Sequence, residues 1–453
     1  MQLQFLGATG TVTGSKYLLT FKNKHILVDC GLFQGYKELR LRNWARLPFA
    51  PAEIDAVVLT HAHIDHSGYI PLLVKQGFKG SIYATKATCD LCSILLLDSG
   101  YLQEEDARLA NRHGYSKHHP ALPLYTVADV KESLKQFKAV DFSKRYTIVP
   151  EVEITWRRAG HILGASFVQV ESAGKRLLFS GDIGRFNDPV MKAPEILLQT
   201  DYLVLESTYG NHLHDKTDPK DSIAAVVMET IQRGGIVLIP AFAVGRAQSI
   251  LYYLAQLKEE KRIPDIPIYL DSPMAVDVTQ LLRQYATTET HLSQDQCAIA
   301  CKVASYVNSV EESKALDEPG PSKIIVSASG MMTGGRILHH LKALAPDARN
   351  TILMTGYQAG GTRGASLLEG QRQLKIHGET FTIKAQVKCL NSASAHADYA
   401  DILQWLKHFE RAPSKMFLVH GEPQAAAFLK AKIEKELGWH CEIPTYLQKV
   451  NLD

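Results

Sequence analysis

The sequence has few cysteines, little net charge and no long apolar run, and each of these shortages excludes a class of protein. Its seven cysteines among 453 residues are scattered and odd in number, which argues against a disulfide framework and for a reducing compartment. A net charge of +3 excludes the uniformly basic surface of a histone-like protein. No segment approaches the roughly 20 apolar residues needed to span a membrane, and the opening residues lack the features of a secretory signal. We therefore expect a cytoplasmic protein with no membrane contact.

The length and the order of predicted elements indicate more than one domain, because 453 residues exceed what a single core usually supports. Up to about residue 210 the pattern is mostly short strands with two helical regions, which is typical of a mixed sheet with helices packed on it. From about residue 220 strands and helices alternate regularly, which predicts a parallel sheet with its own helices. Candidate metal-ligand and catalytic residues occur on both sides of this block, so we expect one domain interrupted by another.

The strongest local signal is "LTHAHIDHSGYIP", residues 59–71. Three histidines and one aspartate fall within six positions, namely His61, His63, Asp65 and His66. The preceding "DAVVLT" is typical of a buried strand and the following "SGYIPLLVKQGF" of a helix. A single histidine would more often be a structural residue, but four ligand-type side chains on one strand-to-helix loop indicate a metal site.

Three further candidate ligands stand beside glycine at the ends of predicted strands. They are His161 in "RRAGHILGAS", Asp182 in "LLFSGDIG" and His420 in "MFLVHGE". Each one alone is more typical of a turn residue. Together with the first cluster they make five histidines and two aspartates, which is the number that two metal ions need if one carboxylate bridges them.

The ordered motifs "VDCG", "HAHIDHSG", "GHILGA", "SGDIG", "LESTYG", "SASGMMTGGR", "SASAHADY" and "VHGE" resemble those of the metallo-β-lactamase-fold ribonucleases of the β-CASP family. The resemblance covers nearly the whole chain, and the layout is similar to that of bacterial members and of the endonuclease subunit of the cleavage and polyadenylation specificity factor. It implies an α/β fold in which a metallo-β-lactamase αββα sandwich, residues 1–208 and 375–453, is interrupted by an inserted β-CASP domain, residues 209–374, with a parallel βα sheet. The loops "GATGTVTGS" and "GYQAGGTRG" depart modestly from the family pattern.

The resemblance also implies two Zn²⁺ per chain and a role for each ligand. His61, His63 and His161 would hold one ion, Asp65, His66 and His420 the other, and Asp182 would bridge them. Asp29 in "VDCG" would accept a hydrogen bond from a ligand imidazole and fix it; the alternative for this residue is a turn carboxylate at a strand end.

Catalytic roles follow from the same resemblance. His396 in "SASAHADY" would donate a proton to the leaving group, and Glu206 in "LESTYG" would hold its ring and favour the charged form. Asp29, Asp65 and Asp182 count with these catalytic residues. Loops of the inserted domain would bind substrate phosphate through helix starts and arginines, with the candidates Arg246, Ser329, Gly330, Arg336 and Arg363. The alternative for these residues is packing turns and solvated surface charges.

The activity that the resemblance implies is zinc-dependent hydrolysis of single-stranded RNA to 5′-phosphate and 3′-hydroxyl ends. Endonucleolytic cleavage is expected, with 5′–3′ exonuclease action as a further mode and a homodimer as a candidate assembly. One alternative is a small-molecule hydrolase of the same fold, which the inserted domain and His396 argue against. Another is an inactive scaffold subunit of an RNA-processing complex, which should have lost ligands, whereas this chain keeps all seven.

Overall fold

The structure, a computed structural model, describes residues 1–114, 116–390, 392 and 394–453. It divides into two compact units. Unit 1 contains Met1–Leu213 and His396–Asp453, and unit 2 contains His214–Ala395. Among the described residues, no helix is both long enough and apolar enough to cross a membrane.

The first segment of unit 1 is rich in strands. Its elements are β1 (Gln2–Phe5), β2 (Tyr17–Phe21), β3 (Lys24–Val28), α1 (Lys37–Arg42), β4 (Ala56–Val58), α2 (Ile64–Ser67), α3 (Ile70–Lys75), β5 (Ser81–Thr85), α4 (Lys86–His113), α5 (Val127–Leu134), β6 (Phe137–Val140), β7 (Arg145–Val149), β8 (Val152–Arg158), β9 (Ser166–Ser172), β10 (Lys175–Phe179) and β11 (Tyr202–Glu206), with a short 3₁₀ helix at Pro51–Glu53.

In unit 2 helices and strands alternate. Its elements are α6 (Pro219–Gln232), β12 (Val237–Pro240), α7 (Arg246–Glu259), β13 (Ile268–Asp271), α8 (Pro273–Glu289), α9 (Gln294–Lys302), β14 (Ser305–Tyr306), α10 (Val310–Ala315), β15 (Ile324–Ser327), α11 (Ile337–Leu344), β16 (Thr351–Met354), α12 (Arg363–Leu368), β17 (Gln373–Ile376), β18 (Glu379–Thr382) and β19 (Gln386–Cys389). The chain then returns to unit 1 as α13 (Tyr399–Leu406), β20 (Lys415–Val419), α14 (Pro423–Leu437) and β21 (Lys449–Asn451).

Two sheets face each other in unit 1. One has the order β21-β1-β2-β3-β4-β5-β6 and the other β20-β11-β10-β9-β8-β7. Apolar side chains from both sheets, including Phe5, Trp156 and Phe179, are fully buried in one shared core, which is the main stabilising contact between the sheets. Helices cover the outer faces; Trp405 of α13, for example, stacks on Phe167 of β9 with ring centroids 5.0 Å apart. The predicted sandwich of two sheets between helices is confirmed.

Unit 2 is built on one parallel sheet, as the alternating pattern predicted. The order is β14-β13-β15-β12-β16-β19, and every pairing between neighbouring strands is parallel. Alternate residues of β12 enter different cores, Val237 and Ile239 on one face and Leu238 on the other, because successive side chains of a strand point to opposite faces.

The return of the chain to unit 1 comes later in the structure than in the sequence-based division. That division starts the return segment at residue 375, whereas residues up to Ala395 belong to unit 2. The reason is long-range pairing, since β19 lies parallel to β16 along Thr351–Met354, and β17 pairs with β18 as a hairpin.

Candidate metal centre

Most of the predicted site residues lie at the ends of parallel strands in the two sheets of unit 1. In one sheet β3 ends directly before Asp29, and β4, parallel to it, ends shortly before His61. In the other sheet β10, β11 and β20 are parallel neighbours, and they lead into Asp182, Glu206 and His420. Because the carboxyl ends of parallel strands meet at one edge of a sheet, these side chains converge although they are far apart in sequence.

Hydrogen bonds hold these two sheet edges together. The indole N–H of Trp156 in β8 donates to the carbonyl of Leu59 at 3.0 Å. The backbone N–H of Ser166 in β9 donates to the carbonyl of Thr60 at 2.9 Å. These bonds bring the β8–β9 turn, which carries His161, against the loop that carries His61 and His63.

Four ligand atoms form the first group: His61 Nε2, His63 Nδ1, His161 Nε2 and Asp182 Oδ2. The Nδ1 atom of His63 lies 3.1 Å from His61 Nε2 and 3.2 Å from His161 Nε2. The carboxylate oxygen lies 3.4 Å and 3.6 Å from those same two Nε2 atoms. Ligands about 2.1 Å from a tetrahedral ion lie about 3.4 Å from each other. The four atoms therefore fit a small divalent cation.

Asp65, His66 and His420 form the second group. The Nε2 atoms of His66 and His420 are 3.1 Å apart, and Asp65 Oδ2 lies 3.3 Å from His420 Nε2 and 3.9 Å from His66 Nε2. Asp182 reaches this group through its other oxygen, since Oδ1 lies 3.3 Å from His66 Nε2. One carboxylate thus faces both groups, as a bridging ligand must.

Three of the candidate ligand histidines each have their own hydrogen-bond partner on Nδ1, which orients the ring. Asp29 Oδ2 lies 2.8 Å from His66 Nδ1, Thr60 Oγ1 lies 3.1 Å from His61 Nδ1, and Thr208 Oγ1 lies 3.0 Å from His420 Nδ1. With Nδ1 engaged in this way, the lone pair of Nε2 is directed into the group, and such partners fix ring orientation and ligand basicity at metal sites.

The backbone at two of these positions is held in a conformation that non-glycine residues rarely adopt. Asp29 has φ 56° and His420 has φ 48°, both in the left-handed region. Each is tied by its own N–H, which donates to the carbonyl of Val58 at 2.9 Å in one case and of Ala8 at 2.7 Å in the other. Strain of this kind concentrates at functional sites because the surroundings must enforce it.

Glycine at position 31 is explained by a close approach in the same region. A Cβ atom on Gly31 would lie 1.6 Å from the carbonyl oxygen of Asp65. The loop that carries Asp65 and His66 therefore packs directly on the end of β3, which is why "VDCG" places its glycine two residues after the aspartate.

Electrostatics favour neutral, electron-donating imidazoles in the first group. Burial lowers the pKa of His63 to about 4 and, together with the neighbouring His66, holds the pKa of His61 well below its usual range. His66 differs. Burial would lower its pKa, but attraction to the carboxylates of Asp182 and Asp29 outweighs burial and raises it. Protons and a cation therefore compete for His66.

His396 and Glu206 form a third group with Asp182. Glu206 is fully buried, and its two oxygens each lie 3.2 Å from His396 Nδ1. The other nitrogen of the ring, Nε2, lies 4.0 Å from Asp182 Oδ2. Burial would lower the pKa of His396, but attraction to Glu206 and Asp182 raises it. This arrangement suits a proton donor directed towards the shared carboxylate.

The sequence analysis missed the hydroxyl residues Thr60 and Thr208. Thr60 donates to Asp29 Oδ2 at 2.9 Å, and Thr208 also donates to the carbonyl of His420 at 3.1 Å. Thr60 directly precedes His61, and Thr208 lies in "LESTYG". A hydroxyl residue beside each motif was the available signal.

The five candidate substrate-binding residues lie in unit 2, and two of their arginines are engaged within it. Arg336 Nη1 donates to Asp271 Oδ1 at 2.5 Å and to the carbonyl of Val307 at 3.1 Å, and Nη2 donates to the carbonyl of Asn308 at 2.7 Å. Arg363 donates to the carbonyls of Lys375 and Met332 at 2.8 Å and 3.0 Å. Both guanidinium groups hold neighbouring loops.

The other three candidates lie in buried or turn positions. Arg246 begins α7 and is buried. Ser329 Oγ accepts the backbone N–H of Thr333 at 3.0 Å within its own turn. At Gly330 a Cβ atom would lie 2.6 Å from the ring of Phe242, so the glycine allows close packing there.

Three family models match consecutive parts of the chain. The metallo-beta-lactamase superfamily matches residues 9–233, the Beta-Casp domain matches residues 247–367, and the Zn-dependent metallo-hydrolase RNA specificity domain matches residues 380–444.

Several curated proteins are similar over most of their length. Ribonuclease TTHA0252 of Thermus thermophilus is 36% identical over 94% of both chains. Transcription termination factor FttA of Methanosarcina mazei is 32% identical over 99% of this chain and 71% of its own. Integrator complex subunit 11 of Danio rerio is 30% identical over 97% of this chain and 72% of its own. A crystal structure of a protein of unknown function from Enterococcus faecalis shares the fold, with a TM-score of 0.51 at 13% identity over 100% of this chain and 99% of that one.

Proposed function

The chain belongs to the β-CASP metallo-hydrolases of the metallo-β-lactamase superfamily, and from this premise we propose that it is a zinc-dependent endoribonuclease acting on single-stranded RNA. The observation that carries the proposal is the double engagement of Asp182, whose two oxygens face different groups of ligand atoms. The name ribonuclease borne by a relative that matches over 94% of both chains supports the substrate class.

Two zinc ions are proposed as the cofactor. His61, His63 and His161 would hold one, Asp65, His66 and His420 the other, with Asp182 between them. Nitrogen and carboxylate ligands in compact sets suit zinc. When bound, such a pair supplies a water nucleophile at neutral pH and neutralises phosphate charge.

The proposed role of His396 is general acid. As the P–O3′ bond of the RNA breaks and the water oxygen bonds to phosphorus, Nε2 of His396 gives its proton to O3′, which leaves a 3′-hydroxyl and a 5′-phosphate. Glu206 acts as a positioning residue, because its buried carboxylate accepts from Nδ1 and favours the imidazolium.

For two arginines of unit 2 we propose a structural role in place of the predicted binding of phosphate. Arg336 and Arg363 already donate to protein oxygens, so we assign them to shaping the loops "SASGMMTGGR" and "GYQAGGTRG". Phosphate contact in unit 2 is then left to backbone N–H groups and to residues such as Ser329 and Gly330.

The test compares His396→Ala with wild type on a normal RNA and on one whose leaving oxygen is replaced by sulfur, which departs without a proton. We expect cleavage of the normal RNA to fall by roughly 10²- to 10⁴-fold with metal content unchanged, and much of the rate to return on the sulfur substrate. His408→Ala, an exposed histidine in unit 1, is the control. Equal defects on both substrates would remove His396 from the acid role.

Cleavage mode and assembly need separate measurements. A circular RNA has no end, so its cleavage by the purified protein would establish endonucleolytic action, and resistance of the circle with digestion of the linear form would establish exonuclease action from an end. The homodimer stays a proposal that sedimentation analysis tests.

A further inference from the structure

A second surface of unit 1 combines exposed aromatic rings with positive charge. It consists of residues 36–46, "YKELRLRNWAR", together with Tyr446, and we call it the basic–aromatic patch. Tyr36 is 46% exposed and Trp44 is 58% exposed. Helix α1, which lies inside this segment, contains no fully buried residue. A helix that buries none of its residues contributes little to the core, so its exposed aromatic neighbours call for another explanation.

The patch carries a net positive charge, whereas the charges in the rest of the chain cancel. Residues 36–46 contain four basic residues and one acidic residue, an excess of three that equals the net charge of all 453 residues. In the part of the chain that the structure describes, none of these four basic side chains forms an ion pair with a carboxylate. Unpaired positive charge beside exposed rings favours a polyanionic ligand with flat groups.

The patch is held in shape and is not a loose loop. Buried Asn43 accepts the N–H of Phe33 at 2.9 Å and donates to its carbonyl at 2.8 Å. The Arg42 guanidinium stacks 4.2 Å from the ring centroid of Tyr446, which joins the two chain segments. An ordered platform loses less conformational entropy when it binds a ligand.

The segment around Phe33, which Asn43 binds, also connects the patch to the metal-ligand loop. The N–H of Leu32, beside Phe33, donates to the carbonyl of Ile64 at 2.9 Å, and the N–H of Cys30 donates to the carbonyl of His66 at 2.7 Å. The residues after β3, to which Asn43 of the patch is bonded, therefore lie along the segment that carries Asp65 and His66. A polymer seated on the patch would continue on the surface of the same unit that holds the candidate ligands.

We propose that the basic–aromatic patch is an additional binding site for single-stranded RNA, on which bases stack on Trp44 and Tyr36 while Arg40 and Arg46 face phosphates. This inference rests on the proposed function for its choice of RNA. Stacking suits the site because every base has a flat face, so a nuclease could grip RNA there without regard to sequence. The platform lengthens the bound segment beyond the nucleotides next to the metal ligands.

The test measures binding of RNAs of two lengths, about 20 and about 4 nucleotides, the shorter matching the smallest site sizes of single-strand-binding domains. All proteins carry His396→Ala to prevent cutting. We expect Trp44→Ala to weaken binding of the long RNA by roughly 5- to 100-fold, with a much smaller effect on the short RNA. Removing charge by Arg46→Gln should reduce the salt dependence of long-RNA binding, with a slope change of about 0.7.

Matched controls lie on α4 of the same unit. Tyr101 is 57% exposed, so Tyr101→Ala controls for loss of an exposed ring, and exposed Arg112 gives Arg112→Gln as the charge control. Thermal unfolding of each variant checks that Trp44→Ala leaves the fold intact.

Three outcomes would overturn the proposal: equal binding of long RNA by Trp44→Ala and its parent, equal loss with Tyr101→Ala, or dissociation of a dimer by Trp44→Ala with RNA binding unchanged, which would make the patch an interface between two copies. Failure of the proposed function looks different. In that case the protein with His396 intact would cut no RNA, while binding could still depend on Trp44.

Discussion

Unit 1 and unit 2 each bury a cluster of histidine and aspartate, and the two clusters differ in how their protons are shared. In unit 2 both nitrogens of His340 face carboxylates, with Nε2 2.7 Å from Asp271 and Nδ1 2.6 Å from Asp317. Arg336 and Ser313 also donate to Asp271. Every close contact in that cluster joins a donor to an acceptor. Protein groups alone therefore satisfy its hydrogen bonds and balance its charges.

In unit 1 the close contacts include nitrogen facing nitrogen. His61 Nε2 and His63 Nδ1 are 3.1 Å apart, as are the Nε2 atoms of His66 and His420. When Nδ1 of His61, His66 and His420 carries the proton and is bonded to its own oxygen partner, the Nε2 atoms present lone pairs. Lone pairs at that distance repel, whereas a cation between them attracts both. The comparison teaches that residue types do not distinguish a metal site from a structural network. The balance of donors and acceptors does.

The largest expected effect is the loss of metal and of activity when the cluster of unit 1 is changed. Asp182→Ala removes the carboxylate that faces both ligand groups, so we expect RNA cleavage to fall by more than the roughly 10⁴-fold upper value for a lost general acid, together with loss of at least one metal ion per chain. Elemental analysis and a cleavage assay measure this. Asp141→Ala, at an exposed aspartate of unit 1, is the control, and unchanged metal content in Asp182→Ala would contradict the bridging assignment.

The next effect concerns stability in unit 2. Asp271→Ala leaves buried His340 and half-buried Arg336 without their shared carboxylate. Breaking a buried pair such as His340–Asp271 costs about 3–5 kcal/mol of unfolding free energy. Metal content should not change. The matched control is Asp265→Ala, which removes an exposed carboxylate 2.7 Å from Lys258 and should change stability little. Urea denaturation measures both variants, and equal losses in the two would falsify the distinction between them.

The smallest effect is a pH dependence that belongs to unit 2. Burial would lower the pKa of His340, but its hydrogen bonds to Asp271 and Asp317 raise it to about 9. Because the folded value lies above the unfolded value of about 6.5, the stabilisation is fully present below pH 6.5 and is lost as pH rises through 9. We expect about 1 kcal/mol to be lost between pH 7 and pH 8.

Urea denaturation of wild type at the two pH values, compared with His340→Gln, isolates that contribution. His291→Gln, at an exposed histidine of unit 2, should retain the wild-type dependence. An identical loss in His340→Gln and wild type would assign the pH dependence to other groups.

The fold class and the family were predictable from sequence because their signals are local. Apolar stretches ending in His or Asp beside glycine identified strand ends, and regular alternation after residue 220 identified the parallel sheet of unit 2. The strand Arg145–Val149 gives a weak local signal because it is only partly buried and carries charged and polar residues. The assignment of the strand Gln386–Cys389 to the sheet of unit 2 has no local signal, since strand pairing depends on residues distant in sequence.

The sequence by itself determined the set of ligand types, their positions at strand ends and the family to which the chain belongs. Only the tertiary structure decided that His66 and His420, 354 positions apart, bring their nitrogens to 3.1 Å, that Asp182 faces two groups, and that Arg336 is engaged by Asp271. The physical reason is that a strand end is fixed by neighbouring residues, whereas which strand ends meet depends on the order of strands in the sheets and on the packing of one sheet against the other.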